Sequence, residues 1–170
     1  MKTLVIHPKD HTTDFLSVIY TNTNWTIITT NVSKSHLKSQ IKSHDRILLL
    51  GHGTELGLIG FDHFIIDSTY IYLLREKHCI CIWCNADIFF TKYKLKGFYT
   101  GMIISDLDES YDFSIPSSLD DIYDSNKLFA KSIQDSIDSD NMLLEVKSAY
   151  DSKDNSIIDF NKYNIYSTIS

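Results

Sequence analysis

The chain has little of what marks several protein classes. Only two prolines and six glycines occur in 170 residues, too few for a collagen-like, linker-rich or low-complexity chain. No apolar run approaches the ~20 residues needed to span a bilayer. The opening MKTLVIHPKD has neither a long apolar leader region nor a small-residue cleavage site. No basic cluster of the kind nucleic-acid binders gather on one face is present. Three cysteines, Cys79, Cys81 and Cys84, crowd into six positions, too close together for a disulfide framework. These absences lead us to expect a soluble, cytoplasmic protein that engages neither membrane nor nucleic acid.

What is present supports a packed core. Apolar residues make up 43% of the chain and aromatics 12%, with a net charge of only −6, which argues against disorder. A chain of this length forms one core, so a single domain over residues 1–170 is expected. The charge is uneven. Residues 1–104 hold 11 Lys+Arg and 8 Asp+Glu, whereas residues 105–170 hold 5 and 14, a local balance of −9. The acidic half is either a solvated helical surface or a face that steers a basic partner.

Two periodicities alternate through the first 104 residues. Thr3–His7, Trp25–Thr29, Arg46–Leu50, His78–Trp83 and Phe98–Ile104 read as strands. The runs RILLL and HCICIW are apolar enough for central strands covered on both faces. Between them, Asp14–Thr21 has helical spacing, and Ser33 caps a polar helix carrying Leu37 and Ile41. Gly53 to Gly60 reads as a turn region leading to Phe64–Ile66, and Asp67 can cap a helix over Ser68–Lys77. A short helix passes through Phe90 and Tyr93. The alternation predicts an α/β fold with a mainly parallel sheet flanked by helices. Beyond Ser105 the chain turns helical and acidic. Pro116-Ser117-Ser118 opens a helix striped by Leu119, Ile122, Phe129, Ile133 and Ile137, and Met142–Tyr150 forms a second. Ile157–Ile169 is apolar enough to pack back on the sheet.

In such a sheet, chemistry gathers beyond the C-terminal strand ends. One central strand ends in LLLGHGT, placing His52 between glycines, and the other ends in CIWCNAD, placing Cys84 where the strand stops. One crossover separates them, so the two ends can be neighbours. An imidazole beside a thiol can accept its proton or stabilise the thiolate. A helix starting after Cys84 would lower its pKa further. Gly53 lets backbone approach a substrate, and its N–H with that of Cys84 suits an oxyanion.

An apolar strand ending in His-Gly, a crossover, then an apolar strand ending in Cys resembles the caspase-like cysteine peptidases (caspases, metacaspases, legumains, gingipains). The resemblance covers residues 46–105. It implies a three-layer sandwich, a His52/Cys84 dyad, Gly53 in the oxyanion hole, hydrolysis of a peptide or protein substrate, and no cofactor. It also draws the specificity pocket from residues near the nucleophile and after the next strand: Asp87, Ser105, Asp106, Asp108 and Glu109. Acidic groups there would favour a Lys or Arg side chain, or they merely end a strand and solvate a loop.

Other readings stay open. The same fold could capture a small ligand or peptide without cutting it, or act through its acidic half. Cys79 and Cys81, two apart on a strand, read as packing residues; the rival is a metal site with His78 and Cys84, which lacks a turn-borne knuckle and a second ligand pair. His7 can reach a ligand or cap a turn, and His63 can line the cleft mouth. His11, His36 and His44 read as surface residues. The glycines match neither phosphate-loop pattern, and no G-x-S-x-G elbow occurs.

Overall fold

The computed structural model describes residues 1–168; Ile169, the end of the last predicted apolar stretch, lies outside them. Six strands form the main sheet: β1 (Thr3–Ile6), β2 (Thr26–Ile28), β3 (Arg46–Leu50), β7 (His78–Ile82), β8 (Lys96–Thr100) and β9 (Ile165–Ser167). Their order is β2-β1-β3-β7-β8-β9. All pairings are parallel except β8 with β9. Helices α1 (Lys34–Ser43), α2 (Ile71–Leu74), α3 (Ala86–Tyr93), α4 (Leu107–Asp112), α5 (Leu119–Ser136), α6 (Met142–Ala149) and α7 (Ser156–Tyr163) complete it, with 3₁₀ turns at Asp14–Tyr20 and Ser68–Tyr70. Among the described residues, no helix is long and apolar enough to cross a membrane.

Alternation along the central strands divides the core. Leu4, Ile6, Ile47, Leu49, Cys79 and Cys81 face α1, α2 and α3. Val5, Leu48, Leu50, Ile80, Ile82 and Phe98 face Leu16 and Ile19 of the first 3₁₀ turn and the apolar sides of α5, α6 and α7. Strands covered on both sides must be apolar at nearly every position, which is why RILLL and HCICI read so plainly. Arg46 is the exception. It is buried, and its guanidinium donates to Thr3 Oγ1, to the Ile137 carbonyl and to Asp138 Oδ1 at 2.6 Å.

Helix starts follow their caps. Ser33 Oγ accepts from His36 N, and Ser118 and Asp121 exchange hydrogen bonds in a capping box that opens α5.

Several sequence expectations need correction. The glycine region is not a simple turn. It forms a second, antiparallel sheet of β4 (His52–Thr54), β5 (Gly57–Gly60) and β6 (His63–Ile66). Here the glycines allow close approach: a Cβ on Gly57 would overlap the Ile66 carbonyl. The helix expected over Asp14–Thr21 is instead the 3₁₀ segment Asp14–Tyr20, and Ser68–Lys77 shrinks to a 3₁₀ turn plus α2, capped by Asp67 as expected. The fifth strand stops at Thr100, because the following backbone turns toward Asn161, which bonds both N–H and C=O of Ile104. α4 carried no apolar stripe and was not anticipated. Leu119 is 70% exposed, although Ile122, Phe129, Ile133 and Ile137 are buried as expected. His44 is buried, with its ring bonded to Gln40 O and Thr26 Oγ1.

Candidate functional site

The strand order reverses direction between β1 and β3, the kind of switch point beside which open α/β sheets carry their sites. β3 and β7 are parallel neighbours, Leu50 opposite Ile82, and Gly51 N donates to Ile82 O at 3.0 Å to close the last rung. His52 and Cys84 leave these two ends and line one cleft, with Thr13, Phe15, Leu16, Ile103, Ser105 and Phe129 completing its wall.

Cys84 is half-buried on the side of the sheet opposite Cys79 and Cys81, which lie wholly inside the other core. After it, Asn85 takes a left-handed conformation (φ 66°) and donates its N–H to Gly101 O, and α3 begins at the next residue. The thiol points toward Ile103 O (3.6 Å) and Glu109 Oε1 (4.0 Å). Glu109 is itself fixed, its other oxygen accepting from Ser105 N (2.7 Å) and Oγ (3.1 Å). Burial, with the Glu109 and Asp106 carboxylates adding to it, pushes the Cys84 thiol up to about 11. The resting thiol therefore lies above its ordinary value, because desolvation and two carboxylates all disfavour the thiolate.

Gly53 has a packing role. It stands opposite Leu58 in the β4–β5 ladder, and a Cβ there would overlap Cδ1 of Trp83. The buried indole is held further by Nε1 donating to Thr54 O at 2.9 Å. Trp83 thus clamps the small sheet carrying His52 onto the strand end carrying Cys84.

Of the expected specificity residues, Ser105 lines the cleft and Glu109 faces the thiol. Asp87 lies in the first turn of α3 beside Tyr99 and outside the cleft wall, with one buried carboxylate oxygen lacking a hydrogen-bond partner. His63 is exposed on β6, its Nδ1 against Phe61 O, also outside the cleft wall. His7 lies within the fold, 3% exposed, with Nδ1 bonded to Tyr20 OH and Nε2 to Thr13 Oγ1. Among the described residues, no three His, Cys, Asp or Glu side chains are placed to hold a metal ion.

Asp10 and Thr12 escaped the sequence reading. They lie on the loop after β1, and Thr12 Oγ1 is 2.6 Å from His52 Nε2. The signal was the polar stretch following His7-Pro8 at a strand end. The chain matches no protein-family model, no curated protein and no solved structure.

Proposed function

We propose that this protein is a cysteine hydrolase of the caspase-like type that cleaves amide bonds with Cys84 and His52. The observation carrying this reading is that both side chains, from the C-terminal ends of adjacent parallel strands, line one cleft. Helices on both faces of a mainly parallel sheet support the caspase-like sandwich, with an acidic helical part after residue 105.

The chemistry follows from the resting thiol. With its pKa near 11, Cys84 is protonated at neutral pH, so the attacking sulfur must give up its proton as the bond forms. His52 takes that proton as general base and delivers it to the leaving amine. The tetrahedral oxygen draws on the N–H groups of Gly53 and Cys84. Water then attacks the thioester, releasing the acid and restoring the thiol. The Glu109 carboxylate beside the sulfur favours a substrate with a Lys or Arg side chain.

The test is a fluorogenic peptide library with wild type, Cys84→Ala and His52→Ala. Cleavage that falls by about 100-fold or more in each variant is expected. Turnover that survives Cys84→Ala, or a library left uncut by the wild type, overturns the reading. The rival is a non-cleaving binder of a small ligand or peptide on the same fold. It is favoured by the raised thiol pKa and by the contacts of Cys84 with Ile103 and Glu109. It predicts that peptide retention survives Cys84→Ser.

A further inference from the structure

We propose that Asp10 and Thr12 act as positioning residues for His52, forming a hydroxyl-bridged relay that fixes its tautomer and leaves Nδ1 as the basic nitrogen. The inference rests on the His52/Cys84 reading for its catalytic meaning, but its geometry stands independently.

Proton counting sets the direction of the chain. Asp10 Oδ1 accepts from both Thr12 N (2.9 Å) and Thr12 Oγ1 (2.7 Å). These bonds, with a smaller contribution from His52, hold the Asp10 carboxyl below the usual carboxylate range, so it is ionised at neutral pH. A threonine hydroxyl has one proton, and here it goes to the carboxylate. At 2.6 Å from His52 Nε2, Thr12 Oγ1 must therefore accept, and Nε2 must carry the hydrogen. The neutral ring then holds its lone pair on Nδ1. When His52 becomes imidazolium, Asp10 Oδ2, 3.8 Å from Nε2, faces the new charge.

An exposed hydrogen bond ordinarily contributes little, because two mobile side chains must be ordered to make it. This one is built on an anchored loop. Lys9 N donates to Thr29 O, and Thr13 N donates to Asp10 O. Thr13 is buried and bonded to the internal His7 ring, which also meets Tyr20 OH. The His52 backbone belongs to β4 of the small sheet that Trp83 clamps. The two partners thus meet as ends of two rigid segments, although 40 residues separate them.

Thr12→Val removes the hydroxyl at nearly constant volume, and Thr12→Ser restores it; Thr12 is exposed, so folding is unaffected. Two readouts are taken. By nitrogen-15 NMR above pH 8, the wild-type His52 ring shows an exchange-protected Nε2–H. Thr12→Val and Asp10→Asn lose the protection, and Thr12→Ser regains it. In peptide cleavage, kcat falls about 10- to 100-fold in Thr12→Val with little change in KM, part of the 10²–10⁴ that a positioned acid–base group supplies. A Thr12→Val protein that matches wild type in ring exchange, or in kcat while His52→Ala abolishes turnover, overturns the relay. Failure of the hydrolase reading is seen separately, as cleavage indifferent to His52→Ala.

Discussion

Cys84 Sγ faces the Glu109 carboxylate at 4.0 Å, so the candidate nucleophile rests against a negative charge. Glu109 is not free to swing away, since Ser105 holds its second oxygen with two hydrogen bonds. The thiol is consequently a neutral donor in the resting protein, and under the hydrolase proposal its proton leaves through His52 during attack.

Iodoacetamide labelling resolved by mass measures this directly. A thiol titrating near 11 is only about 0.1% thiolate at pH 8, so labelling of Cys84 rises steeply between pH 8 and 10. Glu109→Gln removes a carboxylate that raises the pKa, and labelling at pH 8 is expected to quicken several-fold. Cys79 and Cys81, with no exposed surface, stay unlabelled until the protein unfolds. A flat pH profile for Cys84 contradicts this account.

Gly53→Ala is expected to destabilise the fold by about 1–3 kcal/mol, because the added methyl must displace the Trp83 ring in a packed core. Urea unfolding reads the loss. An unchanged midpoint would show that Trp83 yields without cost.

Stability falls with acidity through His7. Burial holds its folded pKa below the ordinary 6.5, against the raising influence of Asp14 and Asp10 and with a further lowering by His52. Below about 6.5 the unfolded chain gains a proton that the folded ring refuses. The stabilisation is therefore complete above that pH and declines as pH falls toward the folded value. His78, also lowered by burial and by Arg46, adds in the same direction. The urea midpoint at pH 5 is expected below that at pH 7.5, with a smaller difference in His7→Gln. Equal slopes in the two proteins would exclude His7 as the source.

Ser118→Ala breaks the capping box at the start of α5, where Ser118 Oγ accepts from Asp121 N and Asp121 Oδ2 accepts from Ser118 N at 2.8 Å. The cost is about 1 kcal/mol in thermal or urea unfolding. Loss within error would mean that α5 is held by its buried face alone.

Much of this architecture was written locally. RILLL and HCICI could be read as central strands because a doubly covered strand leaves no polar positions to hide the signal. Ser33 and Asp67 announced their helices, and the stretch 116–118 announced α5, because capping is a contact over two or three residues. The small β4–β5–β6 sheet was illegible, since its glycines serve close approach rather than turning, and that is visible only once Ile66 and Trp83 are in place. Leu119 departs from its expected place on the buried stripe for a related reason: which positions of α5 are covered is set by distant segments.

The sequence by itself determined the order of the five parallel strands of the main sheet along the chain and put His52 and Cys84 just past two strand ends, because periodicity and turn chemistry act between near neighbours. Tertiary structure alone decided the rest. It paired β3 with β7, set Glu109 against the thiol and raised its pKa, and brought Thr12 to His52. Each of these depends on desolvation or on contacts across tens of residues, and neither has a local signature in the chain.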